Sequence, residues 1–213
     1  MLIVVEGKTK DGSMSDDEEF LALFCLHLNI DIPNFIQNGG NGLNDSTIEQ
    51  IRKCLDNGEK VCIIFDADKS YTKSFNDIKN KLKENKEKFK DSVDKIDIFL
   101  FPNNKDDGEG NGELEDLLLK VAKKPYFIEC FKRYETCIKS KNGNIFKKSK
   151  MYAYKEATGL EKCLKKLKDD KPSKDFLKIK KNIFKKYFDF NSLELKPLKI
   201  FLYKNLKTQP NII

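Results

Sequence analysis

The sequence predicts an α/β fold: a four-stranded parallel sheet flanked by helices, followed by a mostly helical, basic extension. Three observations predict it. Four short apolar runs alternate with helix-like stretches over roughly the first 120 residues, the pattern of a parallel sheet covered on both faces. The clearest of these runs, Val61–Phe65, is apolar along its whole length, as a strand buried on both sides must be. Charge also divides the chain. Residues 1–119 hold 15 Lys and Arg against 25 Asp and Glu, a net of −10, whereas residues 120–213 hold 26 against 9, a net of +17. Two regions follow, an α/β domain over 1–120, where the acidic residues could hold a metal, and a lysine-rich helical extension over 121–213 packed on it.

The elements can be justified in order. Leu2-Ile3-Val4-Val5 reads as a buried strand, and Gly7 permits a tight turn after it. Asp16-Asp17-Glu18-Glu19 opens a helix, where acids suit the positive end of the dipole, and Phe20, Leu21, Leu23, Phe24 and Leu28 give it an apolar face. Ile32 to Gln37 is a weaker strand, followed by the flexible loop Gly39-Gly40-Asn41-Gly42. Asp45 or Ser46 can cap a helix through Ile48, Ile51 and Leu55 that Asn57-Gly58 ends. After Val61–Phe65 comes a lysine-rich helix over about 71–89, with Phe75, Ile78 and Leu82 on one side. Ile96–Phe101 is the fourth strand, stopped by Pro102. The loop 103–112 leads to a helix that Glu113 starts. Helices follow over about 126–138, 147–157, 160–168, 174–187 and 193–205, with Phe188-Asp189-Phe190 pinning the last and a frayed tail over 208–213.

Composition excludes several classes. No stretch approaches the roughly 20 apolar residues needed to span a bilayer, and the N-terminus has none of the features of a signal peptide, so a soluble cytoplasmic protein is expected. The cysteines, Cys25, Cys54, Cys62, Cys130, Cys137 and Cys163, form no C-x-x-C pair, and His27 is the only histidine, which argues against structural zinc. Cys25 and Cys62 read as small core residues and His27 as structural. The basic half suits a polyanion such as DNA or RNA. The alternative is that its lysines only solvate helix faces, since Arg52 and Arg133 are the only arginines.

Chemistry concentrates in three carboxylates. Glu6 ends the first strand; Asp66 and Asp68 end the third. In parallel sheets, sites lie at the carboxyl ends of strands, near the switch in strand order. A 2-1-3-4 order makes Glu6 and Asp66 neighbours. Carboxylates gathered there repel one another unless a cation sits between them, which points to Mg²⁺ or Mn²⁺ and so to phosphate chemistry. Competing motifs fail. Gly7-Lys8-Thr9 imitates the end of a P-loop, but Leu2 stands where its first glycine belongs. Asp107–Leu118 imitates an EF-hand loop, but its twelfth residue is Leu118. A phosphatase D-x-D belongs on the first strand, whereas Asp66-Ala67-Asp68 follows the third.

Val5-Glu6-Gly7-Lys8-Thr9 together with Cys62-Ile63-Ile64-Phe65-Asp66-Ala67-Asp68 resembles the Toprim domain of topoisomerases, primases and OLD-family nucleases, over about residues 1–120. The resemblance implies that Glu6, Asp66 and Asp68 bind one or two Mg²⁺ ions and act on nucleic acid, with Glu6 also a general acid or base in some members. Tyr71 stands where topoisomerases and primases usually have glycine, and no tyrosine domain or zinc module is present. The chain is more similar to small OLD-related proteins. In particular it resembles an uncharacterised bacterial family with a G-x-L-E-D-L-L segment, here Gly112–Leu118, and a lysine-bearing helix, here Lys148–Tyr154. Its ending, Tyr187–Phe190 through Leu198, fits as well.

Glu115 is then the best candidate for a further metal ligand; the alternative makes Glu113, Glu115 and Asp116 merely first-turn acids favoured by the dipole. Lys150 and Lys8 are candidates for neutralising charge on a phosphate. The expected activity is Mg²⁺- or Mn²⁺-dependent phosphodiester hydrolysis. The alternatives are a Toprim-like nucleic-acid or nucleotide binding module without turnover, and a small-molecule phosphatase. A homodimer fits either scheme.

Overall fold

A computed structural model describes residues 1–9, 13–40, 42–89, 92–107, 110–146, 148–167 and 173–206. Four strands, β1 (Leu2–Val5), β2 (Asn34–Gln37), β3 (Val61–Asp66) and β4 (Ile96–Phe101), form one sheet in the order β2-β1-β3-β4. Every pairing is parallel. Helices α1 (Asp16–His27), α2 (Asp45–Asp56) and α3 (Tyr71–Glu84) alternate with the strands. After them come α4 (Leu114–Lys120), α5 (Pro125–Lys139), α6 (Ser149–Ala157), α7 (Leu160–Lys165), α8 (Lys174–Tyr187) and α9 (Lys196–Leu206). The α/β class with a helical C-terminal region is therefore observed, and no described helix is long and apolar enough to cross a membrane.

Because successive side chains of a strand face opposite ways, the sheet builds two cores. Leu2, Val4, Ile63, Phe65 and Leu100 pack with Ile48, Ile51 of α2 and Ile78, Leu82 of α3. Ile3, Val5, Cys62, Ile64, Phe99 and Phe101 pack with α1 and with residues of every helix from α4 to α9. The C-terminal helices thus close one face of the sheet and share its core. Phe190 sits edge-on to both Phe20 and Phe24, with centroids 6.1 and 5.8 Å away, which fixes the chain after α8 against α1. His27 stacks on Phe24 and meets Asn191 Oδ1 at 3.1 Å. Burial pushes the Cys25 and Cys62 thiols up to about 12, so both behave as core residues.

Several boundaries move for local reasons. Pro33 has no amide to give the ladder, and β2 starts at Asn34, two residues later than the apolar pattern suggests. Asn44 caps α2 instead of Asp45 or Ser46, its side chain accepting the Thr47 amide at 2.8 Å. The helix expected over 71–89 stops at Glu84, where Asn85 turns its side chain back to the Lys81 carbonyl, and a 3₁₀ turn carries the chain on to Phe89. The last helix begins as a 3₁₀ turn, Leu193–Leu195, before Pro197 enters the first turn of α9. The tail 208–213, expected to fray, lies outside the described residues.

Candidate metal centre

The carboxyl ends of β1 and β3 lie side by side, because Val5 pairs with Ile64. Glu6 therefore reaches the turn after β3. Its Oε2 accepts the Asp66 backbone amide at 3.1 Å. Asp66 in turn accepts the Leu114 amide on Oδ1 at 2.9 Å, which ties β3 to the start of α4. The Asp68 amide donates to the Gly112 carbonyl at 2.9 Å in an antiparallel bridge. Asp68 sits at φ 54 and Gly112 at φ 140. A Cβ on Gly112 would also lie 2.7 Å from Asp116 Oδ2, so that position needs glycine on two counts. This bridge lays the Gly112–Glu115 segment across the end of β3.

Asp66, Glu113 and Glu115 consequently offer carboxylate oxygens within 4.8 Å of one another. Glu113 is buried, and its own amide is held by Asp116 Oδ2 at 2.9 Å. Glu115, the further ligand expected from sequence, belongs to the cluster together with Glu113, whereas Asp116 is the acid that caps the Glu113 amide. Asp68 is not one of the three, though its charge helps to raise Glu6. Asp17 joins the site in a way no sequence signal announced. Its Oδ2 accepts the Gly7 amide at 2.9 Å, and a Cβ on Gly7 would stand 2.9 Å from that oxygen. By sequence Asp17 is one of four acids that start a helix. Only the approach of α1 to the turn after β1 singles it out.

The electrostatics follow from crowding acids in a poorly solvated place. Burial pushes Asp66 up to about 9, with the charges of Asp17 and Glu6 adding to the shift. Burial pushes Glu6 up to about 7 against the relief given by the Asp66 amide. Asp17 rises to about 6 for the same reason, offset in part by the Gly7 amide. Lys148 supplies the compensating charge, with Nζ 2.6 Å from Glu115 Oε1. Burial works against its ammonium, yet the bond to Glu115 and the charges of Glu115, Glu113 and Asp66 hold it above the ordinary lysine range.

A cavity of about 510 Å³ opens here, lined by Glu6, Gly7, Lys8, Thr9, Asp17, Gly39, Gly40, Asp66 and Lys148. Lys8 lies over Gly39, whose added Cβ would meet Lys8 Cδ at 2.8 Å. Lys150, the lysine singled out from sequence, instead reaches Glu135 of α5 at 3.6 Å. Lys148, two residues earlier, is the lysine of that segment that lines the cavity. An all-oxygen, multiply carboxylate donor set of this kind suits a hard divalent cation.

A family model described as "Protein of unknown function (DUF3226)" matches residues 1–205. No curated protein and no solved structure matches the chain.

Proposed function

We propose that this chain, which belongs to the DUF3226 family, is a Toprim-like enzyme that hydrolyses or transfers phosphodiesters of nucleic acid with Mg²⁺ or Mn²⁺. The observation that carries the reading is the convergence of Asp66, Glu113 and Glu115 within 4.8 Å, beside Glu6 at the ends of two neighbouring strands. Concentrating that much negative charge away from water is costly unless a cation offsets it. Asp66, Glu113 and Glu115 are the residues that would hold the ion, with Glu6 adjoining them. A bound Mg²⁺ or Mn²⁺ supplies Lewis-acid polarisation of a phosphoryl oxygen and a more acidic water.

The chain's own groups divide the remaining work. Glu6, raised to about 7, can exchange a proton near neutral pH, the property of a general acid or base. Lys8 and Lys148 face the same cavity and place positive charge where a phosphate would enter. Asp17 holds the Gly7 amide and so sets the course of the backbone between Glu6 and Lys8. The test is Mn²⁺ binding by calorimetry together with cleavage of labelled single- and double-stranded DNA and RNA. Wild-type levels of cleavage by Asp66→Ala would sink the assignment.

One observation favours a second reading. The Lys148 ammonium already pairs with Glu115 inside the cluster, in the manner of a resident cation. A module that binds nucleic acid without turning it over would keep that arrangement. Nucleic-acid binding with no cleavage in either metal distinguishes it from the enzyme.

A further inference from the structure

All four of the exposed large aromatic side chains among the described residues fall in one short segment. Tyr126 is 56% exposed, Tyr134 55%, Phe146 88% and Tyr152 61%. They lie on α5, on α6 and on the connection between them. Tyr126 and Tyr134 are two turns apart on α5, within about 80° of each other at 100° per residue. The two helices pack together, with Lys150 reaching Glu135 across them at 3.6 Å, and α6 buries Met151 and Tyr154 so that Tyr152 faces out.

The same segment is strongly basic. Residues 123–156 hold ten Lys and Arg against three Asp and Glu, and two of those three acids, Glu129 and Glu135, are engaged by lysines. The surface also adjoins the candidate metal centre. The Tyr152 amide donates to the Lys148 carbonyl at 3.2 Å, one helical turn away, and Lys148 Nζ is the group that meets Glu115.

Resting on the nucleic-acid reading of that centre, we propose that the outer face of α5 and α6 binds single-stranded nucleic acid and delivers it past Tyr152 and Lys148 to the carboxylates. Exposed rings leave apolar surface in water unless something covers them. Unpaired bases present flat faces that stack on such rings, whereas a duplex hides them, and lysines hold the phosphates without reading sequence. Aromatic rings interleaved with positive charge match a single strand on both counts.

The test measures binding alone, by fluorescence anisotropy in EDTA, so that metal chemistry plays no part. The probes are a labelled oligothymidylate, an oligouridylate and a DNA duplex of equal length. Single strands are expected to bind about tenfold more tightly than the duplex, and Tyr152→Ala and Tyr134→Ala each to weaken single-strand binding by about fivefold or more. Tyr152→Phe keeps the ring and should bind like the wild type, which separates stacking from loss of fold. The two homopolymers show whether DNA or RNA is preferred. Equal affinity for strand and duplex, unchanged binding by both alanine variants, or tighter binding to phosphatidylserine vesicles than to either homopolymer would each overturn the proposal. Strand binding that persists while Mn²⁺ fails to bind would remove the metal reading and leave this surface standing.

Discussion

Glu6 Oε2 accepts the backbone amide of Asp66 at 3.1 Å, so the acid that ends one strand holds the turn that ends its neighbour. This bond gives Glu6 a structural duty beside any chemical one. Glu6→Ala would orphan a part-buried amide at a cost of about 1–3 kcal/mol, while Glu6→Gln keeps an acceptor and should unfold close to the wild type. Urea unfolding in EDTA checks the contrast. Equal stability of the two variants would show that the bond matters little.

The raised acids set a pH dependence whose sign can be worked out. Asp66 at about 9, Glu6 at about 7 and Asp17 at about 6 all lie above their ordinary values. Between about pH 4 and pH 9 the folded protein keeps protons that the unfolded chain has released, so stability falls as pH rises through that window. Metal-free Tm should drop by several degrees from pH 5 to pH 9, at about 2–4 °C per kcal/mol for a domain of this size. A Tm that climbs steadily over that range would contradict the crowding of these acids.

A divalent ion should reverse that trend. An Mn²⁺ ion held by these carboxylates would bind their charged form in the folded state alone, so its stabilisation would grow with pH. Asp66→Asn removes the most heavily shifted charge and retains an oxygen for the Leu114 amide. We expect it to raise the metal-free Tm at pH 8 and to abolish the Mn²⁺-induced increase. Scanning calorimetry with and without Mn²⁺ reads both effects, and a variant still stabilised by Mn²⁺ as strongly as the wild type would exclude Asp66 as a ligand.

Lys148 and Lys150 should part company on mutation. Lys148→Met strips Glu115 of its ammonium and leaves the cluster more negative, at a cost of about 3–5 kcal/mol for a well-buried pair and less for this half-buried one. Mn²⁺ should restore part of that loss. Lys150→Met breaks only a 3.6 Å pair with Glu135 near the surface and should stay within about 0.5 kcal/mol of the wild type. Parallel denaturant titrations decide the matter, and equal effects would remove Lys148 from the site.

Phe190→Ala tests how the C-terminal region is attached. The ring is buried against Phe20 and Phe24, so its loss should cost about 3–5 kcal/mol. Because the C-terminal helices share one core with the sheet, unfolding should remain a single transition when followed by circular dichroism and by tyrosine fluorescence. Two separated transitions would mean that the extension melts by itself.

Much of this is legible in the residues alone. The apolar runs Leu2–Val5 and Val61–Phe65 marked their strands because burial on both faces leaves no room for polar residues, and Ile96–Phe101 marked an edge strand whose one polar residue, Asp97, meets Lys60 and Lys204. Glu6 and Asp66 were legible as neighbours because a 2-1-3-4 strand order sets β1 beside β3, with both carboxyl ends at one edge of the parallel sheet. Gly7 stood out as a turn residue and Gly112 as the end of a loop, but what each makes room for, Asp17 in one case and Asp116 in the other, is set by how the following helix packs back on the turn.

The sequence by itself determined the α/β alternation, the division of charge and the strand-end acids, since hydrophobic period and composition are local quantities that each segment carries with it. Tertiary structure alone decided which acids form the cluster and which lysine meets it. Asp68 lies two residues past Asp66 yet outside the group of three, while Glu113 and Glu115 enter it because a backbone bridge carries them across the end of β3. Lys148 rather than Lys150 faces Glu115 because two residues along a helix turn a side chain through about 200°. Such choices depend on ångström-scale contacts between distant segments, and no local pattern encodes them.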